Sequence, residues 1–277
     1  MNIIKMTNIS IKFSVAIKVI LKVKNWTCPI LHYFNIKNDE CVAKFRNGTK
    51  CIIRDKSDAV VFLENFFLNA YDLEKGFDIK ENDVIIDVGA HVGYFTIYAA
   101  QKAKNGKIIS FEPSKESFQV LENNLKINNI QNVIGENLGV RSKSGDSILY
   151  IDKNHEIGDS MFSNDEDLTK ENVQVTSIPE IVKKHKIESI DLLKLDCEGA
   201  EYEIILELPS SILNTIKRIA MEVHEIENYS ISDIEKFLTK NNFQVKRKYL
   251  LSEKKFSNEK YSTIWPMIYA INQNFNK

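Results

Sequence analysis

The sequence predicts an α/β protein, a doubly wound and mostly parallel β-sheet preceded by a small N-terminal α+β appendage. Three observations carry that expectation. From about residue 80, short apolar runs alternate with segments of helical periodicity, the pattern of a parallel sheet covered by helices on both faces. Val84-Ile85-Ile86-Asp87-Val88 leads through Gly89-Ala90-His91-Val92-Gly93 to a helix start at Tyr94-Phe95-Thr96, a strand, turn and helix unit. Ahead of it, Asn47-Gly48 between two short β-rich runs signals a hairpin.

The appendage is expected over residues 1–78 and the larger domain over 79–277. The first thirty residues contain Lys5, Lys12, Lys18, Lys22 and Lys24 and no acid. Segment 9–23 is largely aliphatic, but its lysines recur too often for a membrane span, which needs about 20 apolar residues. They also interrupt any signal-peptide core, and no small-residue cleavage site follows. Two readings remain for this basic amphipathic helix. It packs on its own protein with lysine stems covering apolar surface, or it lies on an anionic membrane through residues 9–24. The hairpin then spans Cys41–Ile53, and 58–70 reads as a helix with Val61, Leu63, Phe66 and Phe67 among its apolar positions.

In the larger domain, strands are expected near 84–88, 107–112 and 132–137, with helices at about 93–104 and after the capping residue Ser114. Phe118, Leu121 and Leu125 give the second helix one apolar face. Short strands at 146–151 and 172–177 flank the polar segment Asp152–Asn172, in which Gly158-Asp159-Ser160 either lines a cleft or is a solvated loop. A short helix at Pro179–Lys186, a very apolar strand at Ile190–Leu195, a helix from Ala200 and a strand near 217–224 follow. Ser232 with Glu235 forms a capping box for a helix at 233–241. Strands near 243–248 and 263–271 form an antiparallel edge.

Composition excludes some functions. A net charge of −1 argues against nucleic acid as a partner, since phosphate binding needs a basic field. Cys28, Cys41, Cys51 and Cys197 are too few and too irregular for a disulfide scaffold or zinc site. They read as reduced thiols in a cytoplasmic protein.

The chemistry concentrates at two places. Gly89-x-x-x-Gly93 lacks the three glycines of a dinucleotide fingerprint, and no G-x-x-x-x-G-K-[ST] loop occurs, so the turn suits a nucleotide-like cofactor without a pyrophosphate. The second strand, Lys107–Phe111, is followed by Glu112 and Pro113, at the distance where nucleoside-binding folds place an acid for the ribose hydroxyls. The other reading of Glu112 is a solvated acid at a strand end. The second place is Asp191-Leu192-Leu193-Lys194-Leu195-Asp196-Cys197-Glu198-Gly199-Ala200-Glu201-Tyr202-Glu203, a buried strand that delivers Asp196 and Glu198 into a loop before a helix. Glu201 and Glu203 fall where the helix dipole favours acids, and Cys197 reads as a small buried residue. Because ligands on such sheets sit beyond the carboxyl ends of the strands, Gly89, Glu112, Asn137, Asp196 and Glu222 should converge.

Together these stretches resemble the FkbM family of S-adenosylmethionine-dependent methyltransferases. The resemblance rests on DVGAHVGYFT at 87–96, FEP at 111–113, NLGV at 137–140, VTSI at 175–178, the Asp191–Leu206 segment and MEVHE at 221–225, and spans about 80–225. The first motif alone indicates a class I methyltransferase; the Asp196–Glu201 loop in the right order makes the resemblance specific. One departure is visible: where the family often has an aspartate after the VTS-like strand, Ser177-Ile178-Pro179-Glu180 stands here. The resemblance implies a Rossmann-like sheet of seven strands in the order 3-2-1-4-5-7-6 with the last antiparallel. It also implies methyl transfer from S-adenosylmethionine, most often to an oxygen of a sugar, glycan or other small hydroxylated metabolite. Expected cofactor contacts are Asp87, Gly89, His91, Gly93, Tyr94, Glu112, Pro113, Asn137, Leu138 and Asp196. Among these, Glu112 meets the ribose, the Gly89–Gly93 backbone meets the amino-acid end, and Asn137 and Leu138 edge the adenine. His91 hydrogen-bonds cofactor or backbone.

Moving a methyl group to an alcohol calls for a base. Asp196 or Glu198 comes first and His224 third, with Glu222 and His224 on one face of their strand because they are two apart. His224 otherwise reads as a hydrogen-bonded, partly buried imidazole. Nothing in the spacing of Asp196, Glu198, Glu222 and His224 demands a metal, and none is expected. Two other functions stay open at this point: a non-catalytic, cofactor-binding adaptor, and a nucleotide-sugar enzyme on a similar fold.

Overall fold

The computed structural model describes residues 14–68, 70–71, 73–151, 168–224, 226, 228–252 and 263–275. Gly158-Asp159-Ser160 and the first thirteen residues of the chain, including 9–13 of the basic helical segment, lie outside them. The N-terminal part begins with helix α1, described over 14–22, and α2 (Thr27–Tyr33). The hairpin β1 (Cys41–Lys44) and β2 (Lys50–Ile53) turns at Asn47-Gly48 as expected, with Gly48 at φ +98°. Helix α3 (Lys56–Leu63) is capped by Asp55, whose side chain accepts from Asp58 N–H. It then widens into a π-helical turn, Glu64–Leu68, so the helix read over 58–70 is two pieces.

Main-sheet strands are β3 (Val84–Val88), β4 (Lys107–Phe111) and β5 (Val133–Glu136), with helices α4 (Tyr94–Lys102) and α5 (Lys115–Ile127) between them. Next come β6 (Gly139–Val140), β7 (Gly145–Ile151), β8 (Thr169–Thr176) and α6 (Ile178–His185). The chain then returns to the main sheet with β9 (Leu192–Leu195), α7 (Glu201–Leu206), α8 (Ser210–Leu213), β10 (Arg218–Glu222), α9 (Ile231–Lys240), β11 (Phe243–Ser252) and β12 (Thr263–Asn272).

The main sheet has seven strands in the order β11-β12-β10-β9-β3-β4-β5. Numbered along the chain within that sheet, this is 3-2-1-4-5-7-6, and β12 alone runs antiparallel to its neighbours β10 and β11. β3, β4, β9 and β10 supply the centre, where Ile85, Ile86, Ile108, Ile109, Leu192, Leu193 and Ile219 are fully buried. Such unbroken apolar runs suit strands covered on both faces. β7 and β8 leave this sheet and form a separate three-stranded sheet in the order β6-β8-β7.

The N-terminal elements share a core with the larger domain. Val19, Val23, Phe45, Ile53 and Phe62 pack with Val92, Tyr94 and Ile97. Asn124 of α5 ties the two parts by donating to Val92 O (2.8 Å) and accepting from Ile52 N (2.9 Å).

Two expectations are corrected. Cys28 and Cys41 form a disulfide, with Cα atoms 6.3 Å apart, so only Cys51 and Cys197 are free. The α2 fold-back brings these residues together, which their irregular spacing in the sequence does not reveal. The capping box of α9 is Ser230 with Asp233, two residues ahead of Ser232 and Glu235: Asp233 accepts from Ser230 N (3.0 Å) and Ser230 Oγ (2.7 Å).

Candidate active site

The turn after β3 owes its shape to two glycines in left-handed conformations, Gly89 at φ +72° and Gly93 at φ +85°, with His91 between them at φ +51°. A Cβ on Gly89 would lie 1.7 Å from the Asp196 carbonyl oxygen, and one on Gly93 would lie 2.9 Å from Leu121 Cγ. Each glycine thus lets a neighbouring segment approach as well as letting the backbone turn. Glu112 closes the turn from β4. Its Oε2 accepts from His91 N (2.7 Å) and its Oε1 from Ser114 N (2.9 Å). Asn137 Nδ2 holds this strand end by donating to Glu112 O (2.8 Å) and Pro113 O (3.0 Å). The adjacent Leu138 packs against the core.

Beneath the turn lies a buried network. Lys194, on β9, is 2% exposed and donates to Gly89 O (2.6 Å) and Val88 O (3.2 Å). Its Nζ is 3.1 Å from Asp87 Oδ1 and 3.7 Å from Asp196 Oδ2. Burial alone would lower the lysine pKa, but the Asp87 and Asp196 carboxylates outweigh it and raise it, so the side chain is a cation. Asp87, with no exposure, also accepts from Thr96 Oγ1 (2.6 Å). Tyr71 donates to Asp196 Oδ2 (2.7 Å) and packs edge-on against Phe95. Burial, with Asp196 and Glu222 nearby, pushes the Tyr71 phenol well up and keeps it a donor.

A second cluster adjoins Asp196. After β9, Glu198 and Gly199 take positive φ angles (+51° and +111°), and Glu201 braces the loop from inside. The Glu201 carboxylate is fully buried and accepts from Cys197 N and Gly199 N, both at 2.9 Å. It also faces His224 Nδ1 at 3.0 Å. On the other side of the ring, Nε2 is 3.3 Å from Glu198 Oε2 and 3.7 Å from Glu222 Oε1. Burial by itself would discharge His224; Glu198, Glu201 and Glu222 reverse this and raise its pKa to about 10. His224 is therefore an imidazolium at neutral pH. Ligand atoms of Asp196, Glu222 and His224 lie within 4.8 Å of one another.

The structure brings Gly89, His91, Glu112, Asp196, Glu198, Glu222 and His224 to the carboxyl ends of β3, β4, β9 and β10, and Asn137 just beyond β5. Asp87 lies below this surface. Tyr94, the first residue of α4, is buried against the N-terminal part, where its hydroxyl donates to Ile52 O of the hairpin (2.5 Å). Cys197 is pushed well up by burial, which keeps it a thiol rather than a nucleophile. Two residues escaped the sequence reading, Lys194 and Tyr71. A lysine inside so apolar a strand was a usable signal, because a buried cation needs carboxylates beside it. Tyr71 lies 125 residues from Asp196 and gave none.

Residues 87–245 match the family model described as "Methyltransferase FkbM domain". The chain belongs to the FkbM methyltransferase family. It is 24% identical over 198 residues to Methyltransferase sdnD of Sordaria araneosa, covering 60% of this chain and 74% of that one. It is 22% identical over 209 residues to the 31-O-demethyl-FK506 methyltransferase FkbM of Streptomyces tacrolimicus, covering 65% and 80%. Among solved structures it resembles the precorrin-6y C5,15-methyltransferase of Geobacter metallireducens with a TM-score of 0.43 and 15% identity, covering 79% of this chain and 90% of that one.

The cofactor of this FkbM chain is S-adenosylmethionine. The turn fits such a group. Buried His91 Nδ1 has no hydrogen-bond partner among the described residues, and His91 Nε2 stands 3.6 Å from Asp58. Burial lowers the His91 pKa, so the ring is neutral and offers Nδ1 to a ligand.

Proposed function

We propose that this FkbM-family chain methylates a hydroxyl oxygen of a small hydroxylated metabolite, a sugar or glycan among them. The observation that carries the reading is the position of Asp196. Its carboxylate is partly exposed, lies beside the Gly89 turn, and is oriented by Tyr71 and Lys194. It is the group best placed to receive a hydroxyl proton. The name of the Streptomyces tacrolimicus relative, a 31-O-demethyl-FK506 methyltransferase, also points to oxygen as the acceptor atom.

When bound, S-adenosylmethionine supplies a methyl group activated by its sulfonium. The chain's own residues do the rest. Glu112 would accept hydrogen bonds from the ribose hydroxyls, and the Gly89–Gly93 backbone and His91 would line the amino-acid end. Asn137, Leu138 and Pro113 border the base. Asp196 would take the acceptor's hydroxyl proton as the oxygen–carbon bond forms and the sulfonium–methyl bond breaks to leave a neutral thioether, and Glu198 is the alternative proton acceptor. His224 is a charge partner rather than a base, since it already carries its proton at neutral pH. It holds Glu198 and Glu222 toward the acceptor side. The acceptor is a small molecule rather than nucleic acid, in keeping with the net charge of −1. Among the described residues no helix is long and apolar enough to cross a membrane.

The test is incubation with methyl-labelled S-adenosylmethionine and fractionated cell metabolites, followed by identification of the product. A labelled methyl ether is expected, with Asp196→Asn lowering turnover at saturating cofactor by about 10²–10⁴. A label on nitrogen or carbon overturns the oxygen assignment. Tight cofactor binding with no transfer to any fraction favours the adaptor.

A further inference from the structure

We propose that the outward face of α1 and the segment after it form a docking surface for an anionic lipid bilayer. In α1, Val19 and Val23 turn inward and are fully buried, Val23 bridging to Phe45 of the hairpin. The opposite face is left open: Ile17 is 42% exposed, Ile20 40% and Leu21 66%. These positions are three and four apart and so share one face of the helix. Trp26, immediately before α2, and Phe34 and Ile36, just after it, are exposed as well. Among the described residues, six of the twelve exposed large hydrophobic side chains thus fall within residues 17–36. Single exposed apolar residues need no explanation, but a concentration of them does. Lysine stems do not cover this face, since the apolar residues themselves are open to solvent.

Charge identifies the occupant. Exposed Lys18 and Lys22 line one side of the helix, with Lys22 Nζ 5.8 Å from the Phe67 ring centroid, Lys24 follows it, and the hairpin adds Lys44 and Arg46 at the same end. Lys24 N donates to Lys44 O (2.7 Å), and Arg46 Nε donates to Leu21 O (2.8 Å). No acidic residue occurs before Asp39, which is paired with Lys37 at 3.0 Å. An apolar centre bordered by lysine and arginine matches the boundary between acyl chains and anionic headgroups, with tryptophan at the level where it is favoured. A second copy of the chain would set lysine against lysine on this face. The proposal does not depend on the identity of the methyl acceptor.

The experiment is sedimentation of the full chain with vesicles of phosphatidylcholine alone and of phosphatidylcholine mixed with phosphatidylglycerol. Binding is expected only to the mixed vesicles and should weaken as salt is raised. Leu21→Asp, and separately Lys18→Glu with Lys24→Glu, should each weaken it by about tenfold or more. Both variants alter exposed side chains and should keep the melting temperature and cofactor affinity of the parent. No sedimentation with mixed vesicles, or sedimentation unaffected by Leu21→Asp, overturns the proposal. So does a dimer in solution that Leu21→Asp dissociates, which would place a second copy on this face.

Discussion

His224→Gln removes a positive charge that faces three glutamates and has a stability consequence that can be worked through. The imidazole is nearly buried, its Nδ1 faces the fully buried Glu201 carboxylate at 3.0 Å, and Glu198 and Glu222 approach Nε2 at 3.3 and 3.7 Å. Its pKa in the fold, about 10, stands above the ordinary 6.5. That difference corresponds to at most roughly 4–5 kcal/mol of folding stability. A pKa raised on folding adds stability that is fully present below 6.5, declines as the pH climbs and is lost once it passes about 10. Urea denaturation of both proteins across this range is the assay, with the imidazole proton followed by NMR. His224→Gln is expected to be less stable by about 3–5 kcal/mol near pH 6, where the glutamates lose their partner. The two proteins should converge near pH 10. A stability difference that does not change with pH, or an imidazole that titrates near 6.5, would refute the reasoning.

Two other perturbations probe parts of the same frame. Lys194→Met leaves Asp87 buried without its cation and Gly89 O without its donor; a loss of about 3–5 kcal/mol and a melting temperature lower by about 10 °C are expected. A variant melting with the parent would show that the buried pair is dispensable. Thiol labelling of the denatured, unreduced protein should modify Cys51 and Cys197 alone, and reduction of the Cys28–Cys41 bridge, with a sequence separation of 13, should cost about 3 kcal/mol. Four reactive thiols before reduction would contradict the bridge. Because disulfides persist mainly in oxidising compartments, the same count on protein thiol-blocked inside its cell also tests the cytoplasmic expectation.

Much of the fold was legible because its signals are local. The strands at β3, β4 and β9 announce themselves as apolar runs ending in Asp or Glu, and Asn47-Gly48 marks its hairpin. The antiparallel end of the sheet was readable from two long β-rich runs at the end of the chain. The α9 cap was misplaced because Ser230 with Asp233 and Ser232 with Glu235 satisfy the same spacing rule, and only the three-dimensional helix start decides between them. Gly89 was readable as a turn but not as the site where the Asp196 backbone packs. Likewise Glu201 shows a helix-dipole position in sequence, whereas its hydrogen bonds to Cys197 N, Gly199 N and His224 exist only in the folded loop. The disulfide and the Tyr71–Asp196 bond join segments by tertiary approach, which no local pattern encodes. Of the side sheet of β6, β7 and β8, only two short strands flanking a polar segment are legible in the sequence, because β6 is only two residues long.

The cofactor site can be tested without knowing the acceptor. Glu112 is nearly buried and fixed by His91 N and Ser114 N, and the proposed function sets it against the ribose. Calorimetric titration of S-adenosylmethionine into the parent and Glu112→Ala measures its part directly. Loss of a charged hydrogen bond worth about 1.5–3 kcal/mol predicts affinity lower by roughly ten- to a hundredfold with the fold retained. Equal affinity in the two proteins would contradict the placement of the cofactor at this turn.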